Sequence, residues 1–152
     1  MNFKEYLNEE KGTYAGVRFD KKSQDYLMSL IADWKIPNPI TKDELHSTLL
    51  YSPKYLPNYK AAGNINEKAT PNSFEIFKTE RANVLVLLLD SDFLVSRHNE
   101  LMKKHKAEYP HPTYIPHITL SYDVKDFKPK RFKPNKDIMI VEEYQEDLDE
   151  VT

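Results

Sequence analysis

Apolar and polar positions alternate along Thr13-Tyr14-Ala15-Gly16-Val17-Arg18-Phe19-Asp20, the two-residue period of a half-buried β-strand. Ala15, Val17 and Phe19 are predicted to face a core, and Tyr14, Gly16 and Arg18 the opposite side. The period then changes. Ser23 is a candidate helix cap, and Leu27, Leu30, Ile31 and Trp34 form one apolar stripe at helical spacing. Pro37 and Pro39 end that helix. The same order returns later. Asn83-Val84-Leu85-Val86-Leu87-Leu88-Leu89-Asp90 is a continuous apolar run, as expected of a central strand. Ser91 is a candidate cap. Leu94, His98, Leu101, Met102 and His105 recur at helical spacing, and Pro110, Pro112 and Pro116 break the chain.

Between and after these units the pattern is weaker. Tyr51 to Thr70 is rich in Pro, Asn, Gly and Lys and reads as a loop. Phe74-Glu75-Ile76-Phe77-Lys78 reads as a strand leading through a turn near Arg81-Ala82-Asn83 into the second unit. Lys128 to Lys136 reads as a basic, proline-containing loop. Ile138-Met139-Ile140-Val141 reads as a last strand, and Glu142 to Thr152, with six acidic residues, as a solvated acidic tail.

Each strand–helix–proline-loop unit ends in the same four-residue pattern. His46-Ser47-Thr48-Leu49 begins 26 residues after Asp20, and His117-Ile118-Thr119-Leu120 begins 27 residues after Asp90. A single match of this kind arises by chance in about one chain in ten of this length at average composition. Two arise in about one in a hundred, and the shared register of the surroundings strengthens the pair further. In a strand, residues i and i+2 share a face. Each copy therefore sets an imidazole beside a hydroxyl, with its leucine on the buried side. Two such pairs facing each other supply what metal-free cleavage of a phosphodiester needs. One neutral imidazole takes a proton, one protonated imidazole gives one, and two hydroxyls hold the phosphoryl oxygens.

Composition narrows the partners. At 152 residues one compact domain, 1–152, is expected, with related repeats at about 13–51 and 83–124. No apolar run of membrane-spanning length occurs, and the start Met1-Asn2-Phe3-Lys4-Glu5 has no apolar signal region, so a cytoplasmic location is expected. The chain has no cysteine, which removes thiolate catalysis and zinc–thiolate sites. The net charge of −2 argues against binding to long nucleic acid. Ten tyrosines and seven phenylalanines offer surfaces for stacking bases, although ordinary packing accounts for most of them.

At these motifs the chain resembles the 2H phosphoesterases, whose signature is two His-x-(Ser/Thr)-apolar motifs in two similar lobes lining a central groove. The resemblance spans about Thr13 to Val124. Within that superfamily the chain is similar to the tailed-phage anti-CBASS phosphodiesterases, which destroy the cyclic oligonucleotide messengers of a bacterial immune system. The resemblance implies an α+β fold: antiparallel sheets in two lobes, related by a pseudo-two-fold axis and flanked by helices around the groove. It implies a cyclic nucleotide substrate, no cofactor and no metal. His46, Thr48, His117 and Thr119 are the catalytic candidates. Tyr14, to stack a base, and Arg18, to meet a phosphate, are candidate substrate contacts, with Phe74, Phe77, Tyr114 and Tyr122 as further stacking candidates. A monomer suffices, because both motifs lie on one chain.

His98 and His105, seven residues apart on one helix face, lack the i, i+4 spacing and the acidic neighbours of a metal site and read as structural. His111 reads as a loop residue, with the groove rim as the alternative. Two other functions share these motifs: the same chemistry on 2′–5′ oligoadenylates or on RNA ends carrying a 2′,3′-cyclic phosphate, and non-catalytic sequestration of nucleotides. The basic stretch Lys125 to Lys133 is the one candidate track for an RNA end.

Overall fold

The computed structural model describes residues 11–148; the N-terminal stretch and the last four residues of the acidic segment, both read above from sequence, lie outside them. The chain runs β1 (Thr13–Phe19), α1 (Lys21–Asp33), a single 3-10 turn (Lys42–Glu44), β2 (Ser47–Ser52), β3 (Gly63–Lys78), β4 (Asn83–Asp90), α2 (Asp92–His105), β5 (His117–Ser121) and β6 (Ile138–Asp147). The fold class is α+β. All six strands pair antiparallel in the closed order β1-β2-β5-β4-β3-β6.

That order explains the sequence repeat. Read from β6 it is β6-β1-β2-β5-β4-β3, symmetrical about the β2–β5 seam. The first repeat supplies β1, α1 and β2, the second β4, α2 and β5. The pseudo-two-fold axis therefore passes between Ser47 and Ile118, the residues that pair across the seam. The core follows the patterns read from sequence. Ala15, Val17, Leu27, Leu49, Leu85, Leu87, Leu94, Leu101, Ile118 and Leu120 are all fully buried. Each such leucine or isoleucine is worth about 1.5–3 kcal/mol over leaving it exposed.

Three expectations are corrected. The cap of α1 is Asp20, whose carboxylate accepts from the Ser23 N–H at 2.8 Å. Ser23 is buried within the first turn, where its Oγ accepts from the Met139 N–H at 2.9 Å and ties α1 to β6. Ser91 does cap α2, accepting from the Leu94 N–H at 3.1 Å.

The second correction concerns Tyr51 to Thr70. Its first residues complete β2, and from Gly63 it belongs to a 16-residue strand. Asn64, Asn66 and Lys68 point to solvent between half-buried Ile65 and Glu67 and buried Ala69, so a true alternation is hidden by polar composition. Pro71 pairs with Leu89 of β4, whose N–H turns away to the Pro116 carbonyl, and it lies beyond Ala69–Ile138, the last β3–β6 pair, so its missing N–H interrupts no ladder bond.

The third is the acidic segment, which is strand as far as Asp147. Glu143 is among the most deeply buried polar residues of the chain. The Arg97 guanidinium on α2 donates to it twice, from Nε at 2.8 Å and Nη2 at 2.9 Å. The Tyr59 hydroxyl donates at 2.8 Å and the Ala62 N–H at 2.9 Å. One carboxylate thus pins α2 and the loop before β3 onto β6.

Candidate active site

Extending the Ser47–Ile118 register one residue each way sets His46 opposite Thr119 and Thr48 opposite His117. Side chains directly opposed on antiparallel strands lie about 4.5–5.5 Å apart at Cβ. The four candidates therefore form a crossed quartet on one face of the seam, each imidazole facing the other motif's hydroxyl. All four are half-buried, while Ser47, Leu49, Ile118 and Leu120 between them are buried. The Ser47 hydroxyl donates to the His117 carbonyl at 2.7 Å, a cross-seam bond that locks the register.

Both imidazoles are oriented in the same way. His46 Nδ1 lies 2.7 Å from the Glu44 carbonyl, and His117 Nδ1 lies 2.7 Å from the Ile115 carbonyl. A carbonyl only accepts, so each Nδ1 carries the proton and each Nε2 is left free to exchange one. The carbonyl two residues upstream of each histidine thus sets the tautomer in both lobes.

Two cavities open beside the quartet and meet at Thr48 and Tyr51. One, of about 560 Å³, is lined by His117, Phe77, Tyr109 and His111 among others. The second, of about 440 Å³, is lined by His46, Tyr14, Tyr122, Tyr144, Glu146 and Asp147 among others. Among the described residues, no lysine or arginine lines either. Among the described residues, no group of three or more His, Asp or Glu has the arrangement to hold a metal ion.

Tyr14 sits inside the site, its hydroxyl 3.0 Å from Thr48 Oγ1 and its ring 6.2 Å from the His46 ring. Burial pushes its phenol far above the ordinary tyrosine pKa, with the nearby Tyr144 adding to the effect, so it stays a neutral hydrogen-bonding group. Phe77 sets its ring edge-on to His117 at 5.3 Å. Tyr122 is exposed at the mouth of the His46 cavity. Thr119 lies on the quartet face but outside both cavity linings.

Arg18 is turned to other partners, its guanidinium 4.0 Å over the Tyr144 ring and 3.5 Å from the Glu142 carboxylate. Phe74 is buried against Trp34 at 4.5 Å, away from the quartet. Tyr114 stacks on His98 at 4.0 Å and donates to the Thr48 carbonyl at 2.9 Å, supporting the site from behind. His98 is held by the Leu49 carbonyl at 2.8 Å, a structural histidine.

The two lobes differ electrically. Burial pulls the His117 imidazole below its ordinary pKa against the Ile115 carbonyl, with smaller contributions in the same direction from His46 and His111. His117 is thereby biased towards the neutral state. The His46 cavity is lined by Glu146, on the same face of β6 as Tyr144.

Sequence reasoning missed Tyr144, Tyr51 and Tyr109. Tyr144 was hidden in the acidic segment, yet it lies an even number of residues from Glu142 and Glu146 and so on their face of β6. Gly16 opposite it has no side chain because a Cβ there would lie 2.8 Å from the Tyr144 hydroxyl and 3.1 Å from Tyr14 Cε1.

With this geometry in hand, comparison with known proteins is decisive. The family model described as anti-CBASS protein Acb1 matches residues 11–152. The anti-CBASS protein Acb1 of Acinetobacter phage Ac42 is 37% identical over 141 residues, covering 92% of this chain and 93% of its own length. That of Enterobacteria phage T4 is 34% identical over 150 residues, covering 97% and 93%. Among solved structures, E. coli LigT complexed with NADP+ matches with a TM-score of 0.64 at 14% identity, over 91% of this chain and 88% of that one. E. coli LigT complexed with 3′-AMP matches with a TM-score of 0.61 at 15% identity, over 90% and 87%. This likeness shows the fold, which the chain shares with LigT.

Proposed function

The chain belongs to the anti-CBASS protein Acb1 family, and from that premise we propose that it is a phosphodiesterase that opens 3′,5′-linked cyclic oligonucleotide immune messengers in the cytoplasm of a phage-infected bacterium. The observation that carries the reading is the crossed quartet of His46, Thr48, His117 and Thr119, with both Nε2 atoms free.

His117, biased towards the neutral state, takes the proton from the ribose 2′-hydroxyl next to the scissile phosphate. The 2′-oxygen attacks phosphorus, forming one P–O bond while the bond to the 5′-oxygen breaks. His46 Nε2 delivers a proton to that leaving oxygen. Attack is intramolecular and draws on proximity. Thr48, held by Tyr14, and Thr119 donate to the non-bridging oxygens as charge builds on them; one such donor is worth about a hundredfold in rate. The product ends in a 2′,3′-cyclic phosphate, which water opens with the two imidazoles in exchanged roles. No step requires a metal. The aromatic walls of the two cavities receive the bases on either side of the cut. A monomer of one domain contains every group in this scheme.

Product analysis on a panel tests the substrate. Cyclic di- and trinucleotides are expected to open rapidly, ahead of a 2′–5′ oligoadenylate and a short RNA ending in a 2′,3′-cyclic phosphate. Faster turnover of either linear substrate would move the biology to that class. A ring with 2′-deoxyribose at each cleavage site is expected to resist, and its ready cleavage would rule out attack by the 2′-hydroxyl.

A further inference from the structure

We infer that His111 binds the second phosphate of the cyclic substrate and so fixes which way the ring lies in the groove. The inference rests on the phosphodiesterase reading above. A cyclic dinucleotide carries two phosphodiesters. With one at the quartet, the other must lie over one of the two adjoining cavities. The His46 side presents Glu146, on the Tyr144 face of β6, which repels it. The His117 side is the larger, about 560 Å³, has no carboxylate in its lining and carries a second imidazole, His111. Among the described residues lining that cavity, His111 is, apart from His117, the one side chain with a cationic form. The second phosphate thus lies over the His117 cavity, where Phe77 and Tyr109 offer stacking faces to the base on that side.

Although exposed, His111 sits on a braced loop. The loop leaves α2 at Lys106 in a left-handed conformation (φ 50°) and returns at β5. Tyr114 stacks on His98 at 4.0 Å with the planes 6° apart, and Tyr109 sets its edge on His98 at 4.8 Å. Tyr109 in turn holds the His111 ring at 5.4 Å. Pro110 and Pro112 restrict the backbone on either side. The Tyr114 hydroxyl donates to the Thr48 carbonyl at 2.9 Å, so the bracing is anchored to the catalytic strand itself. The aromatic train from buried His98 outward therefore holds an imidazole at the wall of the cavity that receives the second phosphate.

The test is calorimetric binding of two inert ligands to the full chain. One is cyclic di-2′-deoxyadenylate, which has two phosphates and no nucleophile. The other is the linear deoxydinucleoside monophosphate of the same bases, which has one phosphate. His111→Ala is expected to weaken the cyclic ligand about tenfold, the weight of one charge-assisted hydrogen bond, and the linear ligand less than about twofold. His111→Arg is expected to keep the cyclic ligand within about threefold of wild type. Equal weakening of both ligands by His111→Ala, or no weakening of either, would overturn the inference while wild-type binding leaves the nucleotide reading standing. Binding of neither ligand by the wild-type chain would overturn both.

Discussion

Glu143→Gln removes one charge from the most enclosed ion pair among the described residues and keeps the shape of the side chain. The carboxylate is fully buried, and its main partner, the Arg97 side chain, is 20% exposed. Removing one member of a buried pair costs about 3–5 kcal/mol, because the other is left uncompensated out of water. The amide oxygen of Gln still accepts from Tyr59 and Ala62, and Glu100 still contacts Arg97, so the low end applies, about 3 kcal/mol. For a chain of this length that is a fall in Tm of roughly 6–12 °C. The assay is denaturant unfolding of both chains across pH. Burial alone would raise the Glu143 pKa, but the Arg97 guanidinium, the Ala62 N–H and the Tyr59 hydroxyl outweigh it and hold the carboxyl below its usual range. A depressed folded pKa stabilises above the unfolded value and is lost as pH falls through the folded one. The gap between wild type and Glu143→Gln is therefore full above about pH 5 and narrows towards acid. Combining Glu143→Gln with Arg97→Met removes the stranded guanidinium while keeping an acceptor for Tyr59 and Ala62, and is expected to recover much of the loss. A Glu143→Gln chain within about 0.5 kcal/mol of wild type at neutral pH, or a gap that does not narrow in acid, would refute the reasoning.

Three further outcomes concern the site. Tyr14→Phe keeps the ring beside His46 and loses the hydroxyl on Thr48; kcat is expected to fall about three- to tenfold with Tm unchanged, and an unchanged kcat would remove Tyr14 from the positioning of Thr48. Because burial lowers the His117 pKa, its neutral form persists below the ordinary imidazole value; the acid limb of kcat/KM is expected below about pH 6.5, and a limb above that value would contradict His117 as the base. Arg18→Ala removes a guanidinium already engaged by Tyr144 and Glu142; kcat/KM is expected to change less than about threefold, whereas a loss near a hundredfold would reinstate Arg18 as a phosphate ligand.

The candidate quartet was legible because one strand period separates His from Thr in each motif and the spacing to the preceding strand repeats. The seam register that crosses the two pairs was not, since strand pairing is a tertiary fact. Phe74 and Phe77 were both offered as stacking residues, yet three residues apart on one strand they face opposite sides: Phe77 reaches His117, and Phe74 joins Trp34 in the core. The first half of β3 read as loop because its alternation runs through Asn, Glu and Lys rather than β-branched residues. Tyr144 was obscured for a related reason, standing in a run of acids whose partners, Arg97 and Arg18, come from distant elements. Arg18 looked free as a sequence position, and only the packed β1–β6 pair shows its ring partner.

The central claim is that two imidazoles open a cyclic messenger without a metal. The most direct measurement follows cyclic dinucleotide turnover in EDTA by wild type, His46→Ala and His117→Ala, with nucleotide binding recorded for each. The account predicts rapid opening by wild type, loss of at least about a hundredfold in each variant and retained binding in both. Turnover that EDTA abolishes, or near-normal rates in either histidine variant, would contradict it.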